Sequence, residues 1–192
     1  MQEQLLDGNI KLKNVVPDHL SPVIEKLEEC GCKLDIKNDC IYLQAPKKLK
    51  ATNIKTMPYP GFPTDMQAIF GAMLATAKGT SVIIETIFEN RYKYASQLQR
   101  MGAKFTIEGR SAIIKGARKL NGVNVKAQDL RGGAALVVAG LSAKGTTRVS
   151  SIEYILRGYE KLDYKLNCLG AKITKEVWSN AKTKKFGIRF FI

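Results

Sequence analysis

Three segments of the chain repeat one pattern: an amphipathic helix, a glycine, a small residue, a lysine and an alternating strand. They span residues 23–36, 94–107 and 162–174. In each, apolar residues recur at i, i+4 and i+7, which places them on one face of a helix. The glycines that follow, at 31, 102 and 170, suit the left-handed conformation that ends a helix. This spacing is too long for a short-repeat solenoid and predicts a supersecondary unit used three times.

A second helix precedes the amphipathic one in copies two and three. In copy two, the predicted helix spans about residues 66–77 and a strand follows at 81–86. In copy three, the predicted helix spans about residues 130–143 and a strand follows at 147–151. Residues 132–140 (GGAALVVAG) are apolar on every side, which predicts a helix that is buried all round. Copy one keeps only the end of this part, within residues 5–12, so we expect a truncated first repeat and a fragment of a longer protein. The sequence therefore predicts an α/β domain with pseudo-threefold order around two central helices.

An excess of positive charge indicates anionic partners. The 192 residues include 31 Lys and Arg against 17 Asp and Glu, a formal net charge of +14. Nucleic acid, membrane surfaces and anionic small molecules all fit such a surplus, although a solvated basic surface is the simpler interpretation for the dispersed lysines. No apolar run reaches the roughly 20 residues that span a bilayer. The start of the sequence has no apolar signal core, so we expect a cytoplasmic protein.

Four cysteines allow two interpretations. Cys30, Cys32 and Cys40 lie close together, as in part of a metal site, but no nearby histidine or fourth ligand completes the set. The simpler interpretation is that these three and Cys168 are small apolar thiols in a reducing compartment. We therefore expect no metal.

Each predicted central helix begins with an aspartate that an arginine follows at similar spacing. Asp65 precedes Arg91 by 26 residues, and Asp129 precedes Arg157 by 28. A helix N-cap is the simpler role for either aspartate, because the carboxylate accepts free backbone N–H groups. Arg131 adds a guanidinium in a first helical turn, where the helix dipole disfavours a cation and an anionic partner would offset it. Phosphate and carboxylate groups are the natural ligands for such arginines and helix N-termini.

Four motifs are similar to signature segments of the UDP-N-acetylglucosamine 1-carboxyvinyltransferases, a family of enolpyruvyl transferases. They are YPGFPTDMQ at 59–67, FENR at 88–91, DLR at 129–131 and RGYE at 157–160. The motifs occur in the family's order and spacing, and the resemblance covers about residues 8–176. The chain thus resembles the C-terminal part of a member, under half of its full length.

The resemblance implies a fold and a reaction. Members consist of two inside-out α/β barrel domains, each built from βαβαββ-like repeats, which close around the substrates; this chain would be one such domain with its first repeat truncated. The reaction transfers enolpyruvyl from phosphoenolpyruvate to the 3-hydroxyl of UDP-N-acetylglucosamine through a tetrahedral ketal. It releases phosphate and serves peptidoglycan precursor synthesis. The resemblance implies no cofactor.

The resemblance also implies roles for individual residues. Asp65 matches an aspartate that contacts the sugar hydroxyl and is a proposed general base, and Ile87 matches a position that contacts the sugar nucleotide. Arg131 and Arg157 match arginines that hold phosphoenolpyruvate. The remaining matches, to residues near the same site, are Arg91 and Asp129. These roles suit the chemistry, because a phosphate and a carboxylate need fixed guanidinium groups and a hydroxyl nucleophile needs a base.

Several departures from the family pattern reduce the activity that we expect. The reactive cysteine that serves as general acid in most members has no counterpart here, and neither does the N-terminal Lys-Asn pair that contacts phosphoenolpyruvate. After Glu176 the tail 177–192 diverges, either as an extension that supplies strands, which the composition of 187–192 favours, or as an unrelated end. We expect a partial transferase domain at 1–176 that needs the missing N-terminal domain as its partner and is inactive alone.

Two other functions stay open. The 3-phosphoshikimate 1-carboxyvinyltransferases share fold and chemistry with the family above but not its FPTDMQ and FENR motifs. A basic nucleic-acid-binding or non-catalytic remnant domain is the other possibility, argued from the net charge and the truncated repeat. No zinc finger, helix-turn-helix or aromatic RNA-binding pattern supports nucleic acid as a partner, and a salt-dependent binding slope would be needed to revive it. We expect neither nucleic acid nor a membrane as a partner.

Overall fold

The computed structural model describes residues 8–180 and 183–190. The strands in this part of the chain are β1 Asn9–Leu12, β2 Lys33–Lys37, β3 Cys40–Gln44, β4 Ile54–Lys55, β5 Thr80–Ile84, β6 Lys104–Glu108, β7 Ser111–Lys115, β8 Leu120–Asn121, β9 Asn124–Lys126, β10 Ala143–Lys144, β11 Thr147–Ser150, β12 Ile173–Asn180 and β13 Thr183–Phe190. The helices are α1 Ser21–Glu29, α2 Thr64–Leu74, α3 Lys93–Arg100, α4 Leu130–Ser142, α5 Glu153–Leu156 and α6 Leu162–Cys168.

The predicted repeat is present three times. Helices α1, α3 and α6 are each followed by a glycine with positive φ, +93° at Gly31, +95° at Gly102 and +94° at Gly170. A non-glycine residue adopts this conformation only at a cost in free energy, so the three glycines end their helices at equivalent points. The chain then enters an antiparallel hairpin in every copy, β2–β3, β6–β7 and β12–β13. The unit that the sequence predicted is therefore a helix, a glycine turn and a hairpin.

The sheets of the second and third repeats have the same topology. Their strand orders are β4-β5-β7-β6 and β9-β11-β13-β12. In both, the first pair is parallel and the remaining pairs are antiparallel. The sheet of the first repeat, β1-β3-β2, contains counterparts of the last three strands only. Within residues 8–180 and 183–190, copy one thus lacks a counterpart of β4 and of a central helix, as the sequence predicted.

The tail after Glu176 supplies a strand to the third repeat. Strand β13 pairs along β11, with Val149 opposite Ile188, and occupies the position that β7 has in the second repeat. Ile188 is buried, as is Val149. Of the two interpretations of the tail, the extension that provides strands is the one that the fold supports.

Helices α2 and α4 pack against each other in the core, as predicted for the central helices. Eight residues of α4 are buried, most of them glycine or alanine, and these small side chains allow neighbouring elements to approach closely. Helix α2 ends at Leu74, earlier than predicted, because the backbone of Lys78 leaves the helix to pair with Leu49 and Ala51. That pairing ties the end of a central helix to the segment that leads out of the first repeat.

The apolar face predicted for the third outer helix is only partly buried. Cys30 and Met101, at the ends of α1 and α3, have 0% exposure, whereas Leu169 at the equivalent position is 60% exposed. The next repeat covers the first two, since the N–H of Lys50 donates to the carbonyl of Cys30 and that of Asn121 to the carbonyl of Met101. No described residue makes this contact with Leu169. The apolar face predicted from the spacing is present in all three copies, but its burial depends on a neighbouring repeat.

Two structural features are absent from residues 8–180 and 183–190. No helix there combines the length and hydropathy that crossing a bilayer would require. No cluster of three or more His, Cys, Asp or Glu side chains there is arranged to hold a metal ion. All four cysteines are free thiols; Cys30 and Cys32 are buried, whereas Cys168 is exposed.

Candidate functional site

The two central helices bring an aspartate and an arginine together at one end of the domain. Asp65 is the second residue of α2, and Arg131 is the second residue of α4. The Nε atom of Arg131 donates to Oδ1 of Asp65 across 2.5 Å. The side chains are 29% and 62% exposed respectively, so the ion pair faces solvent. Two predicted site residues that are 66 positions apart in sequence are therefore neighbours.

The two helix-start aspartates have different roles. Asp129 is the N-cap of α4, and its Oδ1 accepts a hydrogen bond from the N–H of Gly132 at 2.7 Å. Asp65 is not an N-cap, because Pro63 has that position in α2 and no side chain caps the helix. The simpler interpretation made from sequence is thus correct for Asp129 and wrong for Asp65. The carboxylate of Asp65 instead pairs with Arg131 and remains 62% exposed.

Three polar groups define the electrostatics of this end. The hydrogen bond with Asp65 raises the pKa of Arg131, and the charges of Asp65 and Asp129 add to the effect. Tyr159 lies near enough to these groups for its pKa to respond to them. Burial raises the pKa of Tyr159 most, the two carboxylates raise it further, and Arg131 opposes them. The site thus contains a guanidinium, an exposed carboxylate and a neutral phenol within one electrostatic environment.

Helix α5 places the Arg157 motif against the start of α4. A methyl group in place of the Gly158 hydrogen would lie 3.0 Å from both Cδ atoms of Leu130, so glycine permits the close approach. The side chain of Arg157 is exposed and forms no hydrogen bond or ion pair with the residues that the structure describes. Its guanidinium is therefore free to meet an anion.

A buried carboxylate that the sequence analysis did not select connects the site elements. Glu85 is 1% exposed and accepts hydrogen bonds from the hydroxyls of Thr56 at 2.9 Å and Thr64 at 2.8 Å. It also accepts from the N–H groups of Ile87 at 2.9 Å and Phe88 at 3.2 Å. Glu85 thereby joins the first residue of α2 to the loop that carries Ile87. An acid at the end of the apolar strand SVIIE is the sequence signal that could have identified it.

Arg91 lies on the same loop but outside the ion pair. Its guanidinium stacks over the ring of Phe88, 4.1 Å from the ring centre, which is a cation–π geometry. Arg110 supports the loop from the adjacent hairpin, donating to the carbonyl of Thr86 at 2.8 Å and pairing with Glu89 at 3.6 Å. The structure therefore places Arg91 over Phe88 and gives it no hydrogen bond or ion pair with Asp65 or with Arg131.

The site residues lie on an open end of the domain and not in the cavity between α1 and strands β4 and β5. That cavity has a volume of about 750 Å³. Its lining includes Glu25, Lys55 and Phe62, and neither Asp65 nor Arg131 belongs to it. The arrangement is suited to forming one wall of a site that binds an anion beside a hydroxyl nucleophile.

Comparisons with known proteins agree on the type of fold and on the class of enzyme. The family described as EPSP synthase (3-phosphoshikimate 1-carboxyvinyltransferase) matches residues 4–166. UDP-N-acetylglucosamine 1-carboxyvinyltransferase 1 of Caldanaerobacter subterraneus subsp. tengcongensis is 54% identical over 169 residues, covering 88% of this chain and 41% of that protein. The UDP-N-acetylglucosamine 1-carboxyvinyltransferase of Desulfofundulus thermocisternus is 53% identical over 166 residues, covering 86% of this chain and 68% of that relative.

Solved structures give the same result for the fold. The enolpyruvyl transferase NikO from Streptomyces tendae aligns with a TM-score of 0.79 and 25% identity, covering 86% of this chain and 39% of that one. EPSP synthase from Acinetobacter baumannii aligns with a TM-score of 0.69 and 16% identity, covering 96% of this chain and 42% of that one. The chain thus has the fold of about two fifths of each of these transferases.

Proposed function

Since the chain belongs to the EPSP synthase family, we propose that it supplies part of the active site of a UDP-N-acetylglucosamine 1-carboxyvinyltransferase. Relatives of that name are 54% and 53% identical to it. The solvent-facing ion pair between Asp65 and Arg131 is the observation that carries the proposal. It holds a carboxylate and a guanidinium side by side at the convergence of two helix N-termini, where anionic groups are favoured.

Each group has a proposed task in the transfer. Asp65 takes the proton of the 3-hydroxyl of UDP-N-acetylglucosamine as that oxygen bonds to C2 of phosphoenolpyruvate and C3 gains a proton. The resulting ketal then loses a proton from C3 and expels phosphate, which restores the carbon–carbon double bond. Arg131 and Arg157 hold the phosphate and carboxylate of phosphoenolpyruvate, because guanidinium groups pair with both. Arg91 adds a further guanidinium group to the positive charge at this end of the domain.

Two further residues position the reacting groups. Asp129 fixes the start of α4, and therefore Arg131, by capping the helix. Ile87 contacts the sugar nucleotide from a loop whose backbone N–H is held by Glu85. No step in this scheme needs a cofactor or a metal. The proton donor to C3 is assigned to the other domain of the enzyme, which we propose as the partner of this chain in the cytoplasm.

Calorimetric titration of the purified chain with UDP-N-acetylglucosamine tests the proposal. We expect binding that is lost in Asp65→Ala and retained in Asp35→Ala. Asp35 is the matched control, because it also forms an exposed ion pair, 2.8 Å from Lys37, but lies in the first repeat. Equal binding by wild type and Asp65→Ala, or no binding by a chain that circular dichroism shows to be folded, would contradict a sugar-nucleotide half-site here.

The 3-phosphoshikimate enzymes are the second candidate, because the matching family carries their name. Shikimate 3-phosphate in the same calorimeter separates the two. We expect it neither to bind nor to displace UDP-N-acetylglucosamine, since the identities above 50% are to enzymes named for the sugar nucleotide. Tighter binding of shikimate 3-phosphate would transfer the assignment to the second candidate.

A further inference from the structure

Basic side chains collect at the end of the domain where the central helices finish, which we call the distal end. Asp65 and Arg131 lie at the opposite end, where α2 and α4 begin. Helix α2 has 11 residues, so the two ends are separated by about 16 Å along it. Backbone hydrogen bonds join the distal segments to one another, from Lys78 to Leu49 and from Gly122 to Lys144. The distal end is thus one connected surface, remote from the proposed active site.

A groove on this surface is lined by cations that have no acidic partner. Its volume is about 610 Å³, and Lys104, Arg118, Lys119 and Asn121 contribute its polar side chains. The three cations are exposed, and none forms an ion pair within the described residues. Three unpaired cations on one groove repel each other, so an anion in the groove would relieve this repulsion.

The floor of the groove is rigid backbone. The N–H of Gly116 donates to the carbonyl of Gly79 at 3.0 Å, and that of Ala117 donates to Ala75 at 2.7 Å. A methyl group at Gly116 would overlap the carbonyl oxygen of Ala77, so only glycine fits there. The cations therefore project from a fixed frame, which lowers the entropic cost of holding a ligand.

The same arrangement occurs at the end of the first repeat. Counting from the glycine that ends each outer helix, basic residues recur at positions +2, +16 and +17. They are Lys104, Arg118 and Lys119 after Gly102, and Lys33, Lys47 and Lys48 after Gly31. The residues at position +19 are Asn121 and Lys50. Their side chains lie 3.5 Å and 4.0 Å from the place that a methyl group would occupy on Gly102 and on Gly31, respectively. The fold thus presents two equivalent basic clusters, one per repeat.

Acidic side chains are scarce around both clusters. Residues 40–64, 66–84, 109–128 and 130–152 contain no Asp or Glu. Two acids near the first cluster are already engaged. Glu29 pairs with Lys26 at 2.8 Å and accepts from the hydroxyl of Thr52. Asp35, which lines a groove with Lys33, pairs with Lys37 at 2.8 Å. The dipoles of α2 and α4 favour cations near the helix ends, where Lys78 follows α2 by four residues and Lys144 follows α4 by two, but this effect decays within one turn. It therefore does not account for the six cations of the two clusters.

We propose that the two basic clusters bind the phosphate backbone of nucleic acid without reading its sequence. Two separate groups of donors, one in each of two repeats, suit a polyanion that presents phosphates repeatedly along its length. Among the distal segments 44–50, 78–80, 99–104 and 114–121 there is no aromatic residue. Tyr42 lines a groove with Lys33, but Lys11 and Lys37 lie over its ring, 4.7 and 5.8 Å from the ring centre, so bases would find no free stacking platform there. The four segments also offer no aromatic side chain for insertion into a lipid surface. This inference is independent of the transferase proposal, and it revises the expectation from sequence that nucleic acid is not a partner.

Fluorescence anisotropy with a labelled 20-base-pair duplex tests the proposal over a range of salt concentrations. For wild type, we expect the logarithm of affinity to fall with the logarithm of salt with a slope of about −3 to −5, as for roughly 3 to 6 neutralised phosphates. The variant Lys104→Gln, Arg118→Gln, Lys119→Gln should bind about 10-fold or more weakly, with a slope smaller by about 2 to 3. The substituted side chains are exposed, so the variant should fold normally.

A charge-matched control separates the groove from the overall charge. The variant Lys55→Gln, Lys93→Gln, Lys126→Gln loses the same charge from exposed positions toward the other end. We expect its affinity to fall less than about 3-fold. Equal losses in the two variants would assign binding to diffuse charge and overturn the proposal. Wild-type binding to vesicles with anionic phospholipid that exceeds binding to the duplex would overturn it in favour of a membrane surface.

Discussion

The carboxylate of Asp65 and the guanidinium of Arg131 meet at 2.5 Å, although 66 positions separate them in sequence. The contact joins the first turns of the two central helices. It places a potential base next to a cation that can hold an anion, at the open end of the domain.

Replacement of Asp65 by alanine should abolish sugar-nucleotide binding with little effect on folding. Asp65 is 62% exposed although Arg131 is only 29% exposed, and ion pairs open to solvent contribute about 0 to 1 kcal/mol to stability. Urea denaturation should therefore give a free energy of unfolding within about 1 kcal/mol of wild type. A loss of several kcal/mol would show that Asp65 has a structural role and that lost binding reports unfolding.

Replacement of Glu85 should be far more damaging, although this residue was not among the predicted site residues. Four donors converge on its buried carboxylate. Glu85→Ala leaves the Thr64 hydroxyl and the N–H groups of Ile87 and Phe88 without an acceptor, and leaves the Thr56 hydroxyl only a long contact of 3.4 Å with the carbonyl of Ile84. We therefore expect a loss of about 2 to 4 kcal/mol in the free energy of unfolding. Glu153→Ala, at an exposed position, is the control and should cost less than about 0.5 kcal/mol. Similar values for the two variants would show that the carboxylate is not needed to hold the loop.

The two equivalent apolar positions Met101 and Leu169 should respond differently to truncation. Met101→Ala creates a cavity in the core and should cost about 2 to 5 kcal/mol. Leu169→Ala removes an exposed side chain and should change stability by less than about 0.5 kcal/mol. Thermal unfolding of both variants checks this. A large cost at Leu169 would indicate that another segment or molecule covers it in solution.

Gly71 and Tyr94 should behave as a coupled pair. A methyl group at Gly71 would lie 2.5 Å from the Tyr94 hydroxyl oxygen, which is buried in the core. Gly71→Ala should therefore destabilise the chain by about 1 to 3 kcal/mol through overpacking. Tyr94→Phe removes the clashing oxygen and should restore part of the loss when combined with Gly71→Ala. A double-mutant cycle measures the coupling, and simple additivity would rule out the clash.

Stability should decrease in alkaline solution because of Cys30. Burial raises the pKa of its thiol to about 11, with smaller contributions from Cys32 and Glu29. The unfolded chain therefore loses this proton at lower pH than the folded chain does, near the ordinary pKa of about 8.5 for cysteine. Between these values the free energy of unfolding should fall with rising pH, by at most about 1.4 kcal/mol per unit from this group. Urea denaturation from pH 8 to 11 measures the slope.

The variants Cys30→Ala and Cys168→Ala provide the comparison for that slope. Cys30→Ala should lower stability at neutral pH, because Cys30 is fully buried, but should flatten the alkaline decline. Cys168 is exposed, so its replacement should leave the slope as in wild type. An unchanged slope in Cys30→Ala would assign the decline to the other buried groups whose pKa is raised, Cys32 and Tyr94.

The sequence by itself determined the repeated unit and its internal geometry. Apolar spacing located the outer helices, and Gly31, Gly102 and Gly170 marked their ends, because helix periodicity and the demand for positive φ are properties of contiguous residues. The uniform apolarity of 132–140 likewise predicted a buried helix, and α4 is one. The four motifs identified the family for the same reason, since each is a short continuous stretch.

Only the tertiary structure decided which residues face each other. Asp65 and Asp129 look alike in sequence, yet one caps its helix and the other pairs with Arg131. Met101 and Leu169 occupy the same place in the repeat, yet only the residue with a following repeat against it is buried. Glu85 received its four donors from three separate segments. The physical reason is common to these cases: burial and electrostatic pairing depend on neighbours distant in sequence, which local pattern does not specify.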